Sequence, residues 1–256
     1  ISNSTNDMGH DNRLHKASLT RRCRALTLRT GTLAPPIRAV IHPQFSGDGK
    51  KLAWSERIRK GNSFGGGWVI KIADFAGGGS PALENIKALA PGEQDCFYEA
   101  HDFSADGRRL LFSGNLRKGQ AHTGLDIYEL DIASGKITRL THTDADWDEH
   151  AHYSPDGRSI AWMSAAGFDI DYGPEKGRGT TWGKYLKTEL WIMDANGSNA
   201  LQLTHFNTPG HPENIRGARC IVSDSIWSPD GKSICACVAW MKGREHGVKL
   251  VQLELQ

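Results

Sequence analysis

The chain has 256 residues, 38% of them hydrophobic and 23% charged, which describes an ordinary folded protein able to bury a core. A formal net charge of +2 gives no bulk electrostatic drive toward nucleic acid or an anionic membrane, and the longest apolar run, Ile234 to Met241, is far too short to span a bilayer. The expected partner is therefore a protein or a small-molecule or carbohydrate ligand, with no nucleic acid and no membrane insertion.

Residues 1–38 read as an N-terminal arm. The first 22 are polar and aperiodic, while Arg24 to Thr30 alternates as one strand would and ends at Gly31 and Pro35-Pro36. The chain starts at Ile1 and has no basic segment leading into an apolar one; it reads as a processed product or a fragment, without a signal peptide. Its five cysteines (Cys23, Cys96, Cys220, Cys235, Cys237) lack metal-finger spacing. Cys235 and Cys237 share one strand face, where a disulfide between them would be strained, so the cysteines read as small core residues.

From Ala39 onward one unit recurs: Phe45-Ser-Gly-Asp-Gly49, Phe103-Ser-Ala-Asp-Gly107, Tyr153-Ser-Pro-Asp-Gly157 and Trp227-Ser-Pro-Asp-Gly231. Asp bonds the backbone that follows it and Gly supplies a positive φ, so each unit predicts a hairpin. The returning strands alternate, with Leu52/Trp54, Leu110/Phe112, Ile160/Trp162 and Ile234/Ala236 on one face. Third strands follow at Trp68 to Ile72, Asp126 to Asp131, Glu189 to Asp194 and Val248 to Leu253, and fourth strands at Lys136 to Thr141 and Ala200 to Thr204. Four short antiparallel strands per repeat predict an all-β fold, a β-propeller of four-stranded blades, with about four blades at 39–91, 97–142, 148–205 and 222–256. The anchoring aromatics are 58, 50 and 74 residues apart, too uneven for a solenoid but suited to blades with loop insertions. The last blade stops after its third strand. Either the strand at Arg24 to Thr30 completes it and closes a four-bladed ring, or the chain is part of a larger, six- to eight-bladed propeller; the second is preferred.

Ser-Pro-Asp-Gly after an aromatic, an Ile-Ala-Trp strand, Leu-Trp-Ile-Met-Asp-Ala-Asn-Gly-Ser-Asn and then Leu-Thr resemble the WD40-like (PD40) repeat of TolB-like propellers over residues 39–256. The resemblance implies the propeller fold and a periplasmic or extracellular location. It does not select one function, since that family holds translocation proteins, peptidase-associated propellers and sugar-acid lyases.

In a four-stranded meander the 2–3 and 4–1 connections share one end of the blades, and here these are the long ones, which are where binding residues usually sit. The 4–1 segments carry Glu93, Asp95, Glu99, Asp144, Asp146, Asp148, Glu149, His211 and Glu213 toward the central channel. The 2–3 loops carry Arg57, Arg59, Lys60, Arg117, Lys118, Lys176, Arg178, Lys184 and Lys187 further out. With the aromatic anchor as position zero, Glu99 and Glu149 fall at −4, His42, His150 and Asp224 at −3, His101 at −2 and His152 at −1. The candidate ligand-binding set at the channel mouth is thus Glu99, His101, Asp146, Asp148, Glu149, His150, His152, His211, Glu213 and Asp224. Strand parity puts His150 and His152 on the side opposite Glu149. The pair either ties neighbouring blades together or holds a divalent metal such as Mn²⁺, Zn²⁺ or Ca²⁺. The second role is the one implied by a similarity to the oligogalacturonate lyases, which hold a metal on channel-mouth histidines.

The function expected from the sequence is a non-catalytic ligand- or protein-binding propeller. The alternatives are a metal-dependent lyase or hydrolase of acidic oligosaccharides and the propeller domain of a larger enzyme. No Gly-x-Ser-x-Gly nucleophile elbow, and no α/β domain to hold one, is expected within the chain.

Overall fold

The computed structural model describes residues 39–59, 66–78, 81–92, 96–143, 145–172 and 181–255; the strand expected at Arg24 to Thr30 lies outside them. Among the described residues, fifteen strands form four antiparallel meanders. The first sheet is β1 (Val40–Phe45), β2 (Lys51–Arg57), β3 (Trp68–Ala76) and β4 (Ala82–Leu89). The second is β5 (Tyr98–Phe103), β6 (Arg109–Gly114), β7 (Asp126–Asp131) and β8 (Ile137–Arg139). The third is β9 (Asp148–Tyr153), β10 (Ser159–Ser164), β11 (Glu189–Asp194) and β12 (Leu201–Gln202), and the fourth has three strands, β13 (Arg219–Trp227), β14 (Ser233–Lys242) and β15 (Glu245–Glu254). The fold is an all-β propeller whose sheets are its blades. Among the described residues the helical content is a single 3-10 turn, Thr181–Lys184.

The repeated tetrapeptide builds the same turn four times. In each, the glycine amide donates to the serine carbonyl, as from Gly157 to Ser154 at 2.8 Å, and the glycine takes φ between +65° and +70°. The serine hydroxyl donates to the aspartate two residues on, at 2.6 to 2.7 Å, and accepts the amide that opens the return strand. The motif is therefore a self-contained hydrogen-bonded device that fixes hairpin register wherever it occurs.

Apolar layers separate successive blades. Ala53 and Ile70 of the first pack with Tyr98, Leu110 and Phe112 of the second. Leu111 and Ile127 of the second meet Ala151, Ile160 and Trp162 of the third. Ala161 and Leu190 of the third meet Cys220, Val222, Ile234 and Val238 of the fourth. Burying each such Leu, Ile or Phe contributes about 1.5–3 kcal/mol. Polar bonds cross the same seams: Ala100 N donates to Ser55 Oγ (2.9 Å), Tyr153 N to Asp102 Oδ2 (3.0 Å), Tyr153 Oη to Glu129 Oε2 (2.6 Å) and Trp227 Nε1 to the His152 carbonyl (3.2 Å). The inner strands follow one another, β1 on β5, β5 on β9 and β9 on β13. The far face of the fourth blade exposes Ile226, Val248 and Leu250 at 68%, 67% and 77%.

Two fourth strands are shorter than the sequence pattern predicts: β8 keeps three residues and β12 two. The residues that follow leave the ladder to clasp the start of the third strand. Thr141 Oγ1 accepts the Ile127 amide, and Thr204 Oγ1 both accepts the Leu190 amide and donates to buried Glu189.

Candidate functional site

Every inner strand breaks its ladder within the two to four residues before its aromatic anchor. Pairing skips between Ile41 and Gln44 in β1, between Ala100 and Asp102 in β5, between Glu149 and His152 in β9, and between Val222 and Ser225 in β13. Each skip places one residue more on the inner strand than on its partner, a β-bulge, which re-aims the side chains it contains. Those residues are His42-Pro43, His101, His150-Ala151 and Ser223-Asp224. His42 and His150 take φ of +49° and +53°, a left-handed conformation that costs a non-glycine residue about 1–2 kcal/mol.

The bulges bring side chains from all four blades together. The rings of His42, His101 and His150 form a triangle with centroid separations of 5.3, 5.7 and 6.2 Å. His42 Nε2 lies 2.9 Å from Glu99 Oε1, and His150 Nδ1 lies 3.1 Å from Asp224 Oδ1. His101 is fully enclosed: its Nε2 meets Ser113 Oγ at 2.5 Å, while its Nδ1 is buried without a hydrogen-bond partner. Accessibility rises from His101 and Glu99 through His150 and His42 to Asp224, whose side chain is 71% exposed, so the cluster opens to solvent on the fourth-blade side.

The electrostatics follow from this layout. Burial holds His101 well below the ordinary histidine value, and the neighbouring His150 and His42 push the same way. The hydrogen bond to Glu99 lifts His42 against burial. Burial lowers His150, but Asp224, Glu149 and Glu99 outweigh it and the net direction is up. The His150 bond holds Asp224 down at about 2. Glu149, buried against Glu99, is raised well above the usual carboxylate range by desolvation and then by that second carboxylate.

The structure thus unites Glu99, His101, Glu149, His150 and Asp224 of the expected set and adds His42. The other five residues stand differently. His152 is not paired with His150 as a ligand: its Nδ1 faces Asp102 of the preceding blade at 3.8 Å, a tie between blades. The bulge at His150 shifts the alternation along β9, so that His150 and Glu149 serve one cluster instead of standing on opposite sides of the strand. Asp148 lies on β9 rather than in a loop and is wholly buried, accepting from Thr143 Oγ1 (2.8 Å) and Trp162 Nε1 (3.3 Å); desolvation raises it to about 6. Asp146 is half-buried on the loop side near Asp126 and Tyr172. His211 and Glu213 form a separate group with His205, in which the His205 and His211 rings stack at 4.4 Å and Glu213 accepts the His205 amide at 2.7 Å. Glu93, Asp95, Asp144, Lys60, Lys176 and Arg178 lie outside the described residues. The repeat register already held the signal for His42, at the same position as His150 and Asp224.

The pattern Gly-x-Ser-x-Gly does occur, at Gly61-Asn62-Ser63-Phe64-Gly65, which corrects the expectation in its letter. It connects β2 to β3, two strands of one antiparallel sheet, rather than a strand to a helix, and residues 60–65 lie outside the described residues.

No protein-family model matches the chain. Among curated proteins it is similar to dipeptidyl-peptidase 5 of Porphyromonas gingivalis, with 29% identity over 89 residues covering 34% of this chain and 13% of the relative. It is also similar to dipeptidyl-peptidase 5 of Porphyromonas endodontalis, with 31% identity over 71 residues covering 26% of this chain and 10% of the relative. Among solved structures it is similar to a mutant puromycin hydrolase complexed with PGG, at 16% identity and a TM-score of 0.51, covering 84% of this chain and 27% of that one. That likeness shows the propeller fold. The matches span a small part of each relative. The expectation of a non-catalytic ligand- or protein-binding propeller is overturned, because the curated relatives that the chain matches are dipeptidyl-peptidases.

Proposed function

We propose that this chain is the propeller part of a peptidase, working beside a hydrolytic domain that other residues supply. The observation that carries the reading is the similarity to dipeptidyl-peptidase 5. The fourth blade supports it: Ile226, Val248 and Leu250 lie exposed on the face where a following blade would pack, as successive blades do across the other three seams. An apolar face of that kind is unusual on a finished surface and suits a buried seam in a longer propeller. The WD40-like form of the repeat, which resembles TolB-type blades, and a periplasmic or extracellular location belong to the same proposal. In this arrangement the rigid blades position loops at the approach to the peptidase site and contribute to substrate access and selection, while the nucleophile comes from elsewhere.

The test is to recover the native polypeptide containing residues 39–255 with an antibody raised against the propeller and treat it with a fluorophosphonate probe for activated serine nucleophiles. The reading predicts a labelled polypeptide, or a labelled stoichiometric partner, that releases dipeptides from unblocked peptide substrates. A recovered protein that folds, takes no label, brings down no labelled partner and cleaves no peptide contradicts it.

A further inference from the structure

We propose that His42, Glu99, His101 and His150 form a binding site for one divalent transition-metal ion, which fastens the first three blades at the propeller axis. The four residues each offer a ligand atom, and all four atoms lie within 4.8 Å of one another. An ion with four ligands at about 2.0–2.1 Å sets those atoms roughly 3.4 Å apart, so closure requires side-chain shifts of about 1 Å. Imidazole rings bound through one nitrogen to a common tetrahedral ion have centroids roughly 5 Å apart, close to the 5.3 to 6.2 Å found here.

The surrounding contacts assign the nitrogens. His150 Nδ1 is held by Asp224, which leaves Nε2 as the ligand; a carboxylate behind a histidine in this way orients the ring and raises its basicity. His101 Nε2 is held by Ser113, which leaves Nδ1, the buried nitrogen that otherwise has no hydrogen-bond partner. A buried polar atom left unsatisfied is costly, and coordination would remove that cost. His42 Nε2 and Glu99 Oε1 already stand 2.9 Å apart. Two of the three histidines sit in strained left-handed backbone at their bulges, the kind of outlier that collects at functional sites. The ligands come from β1, β5 and β9, with Asp224 of β13 behind them.

Three imidazoles and one carboxylate select the ion class. Calcium and magnesium take oxygen ligands, whereas this nitrogen-rich set suits zinc and its first-row neighbours. The ligand set differs from the His150–His152 pair expected from the sequence, because His152 faces Asp102.

The experiment is Co²⁺ and Zn²⁺ titration of the chelator-treated full chain. The proposal predicts one equivalent of Co²⁺ with the intense visible bands of a four-coordinate ion, displaced by one equivalent of Zn²⁺. It predicts at least 100-fold weaker Zn²⁺ binding for His101→Ala and His150→Ala, roughly 10- to 100-fold for Asp224→Asn, and wild-type affinity for His152→Ala and His211→Ala. Circular dichroism of each variant checks folding, and the wild-type cobalt spectrum stands even if a variant fails to fold. Absence of the bands, affinity unmoved in the folded His101 or His150 variants, or affinity lost in His211→Ala would overturn the proposal.

Discussion

Tyr153 anchors the third turn motif and also spans a seam. Its hydroxyl donates to Glu129 Oε2 of the second blade at 2.6 Å, and Arg109 Nη1 reaches the same oxygen at 3.1 Å while its guanidinium lies 5.8 Å from the centre of the Tyr153 ring. Tyr153→Phe removes the oxygen and leaves the ring packed with Leu111, Ile127 and Trp162. A hydrogen bond to a charged group contributes about 1.5–3 kcal/mol. Because Arg109 remains on Glu129, the loss should fall at the low end, about 1.5 kcal/mol, or a fall in Tm of roughly 3–6 °C for a chain of this size. Urea unfolding of Tyr153→Phe, Glu129→Gln and the double variant measures the coupling directly. We expect about 1 kcal/mol of coupling. A Tyr153→Phe protein as stable as wild type, or single effects that add to within about 0.3 kcal/mol, would refute the reasoning.

Three further outcomes are expected. Gly197 has φ +88°, and a Cβ there would stand 2.9 Å from the Leu140 carbonyl oxygen of the neighbouring blade; Gly197→Ala should destabilise by about 2–4 kcal/mol. Gly157→Ala, with the same sign of φ but open space around it, should cost only the backbone part, about 1–2 kcal/mol, so equal urea midpoints for the two variants would contradict the account. The turn aspartates Asp106, Asp156 and Asp230 are held below the ordinary value of 3.8 by the serine hydroxyl and then the following amide, and Asp48 by the same pair in reverse order. Their contribution is therefore present above pH 3.8 and lost as pH falls through the lowered values. Replacing all four by Asn should flatten the acid limb of the stability–pH curve below about pH 4, and an unchanged limb would show that the turns do not titrate with folding. Zn²⁺ at 100 times its Kd should add about 2.7 kcal/mol, roughly 5–11 °C in Tm, to the wild-type chain and nothing to His150→Ala; equal shifts in both would place the bound ion elsewhere.

The fold was legible because its signals are local. Ser46 to Gly49 and its three counterparts close their turns with their own hydroxyl, carboxylate and amide groups, so the motif carries its geometry in four residues. The short fourth strands were less legible: Thr141 and Thr204 belong to alternating segments, but their hydroxyls serve the third strand instead. The site was legible by repeat position and not by parity. The repeat register places His42, His150 and Asp224 at one position, whereas simple alternation along β9 joins His150 to His152 and separates it from Glu149. A bulge inserts one residue without a compositional mark, so strand parity cannot be carried across it. Function was least legible, because one blade architecture serves unrelated activities and the repeat that reveals the fold carries no chemistry of its own.

The bulges of β1, β5 and β9 aim three histidines at a single point near the axis, beside the Glu99 carboxylate of β5. Crystals of the Co²⁺-loaded chain, measured at the cobalt absorption edge, test this convergence most directly. The account predicts one strong anomalous peak about 2.0–2.3 Å from a nitrogen of each of His42, His101 and His150 and from a Glu99 oxygen. A peak at His205, His211 and Glu213 instead, or none at the axis in protein with bound cobalt, would contradict it.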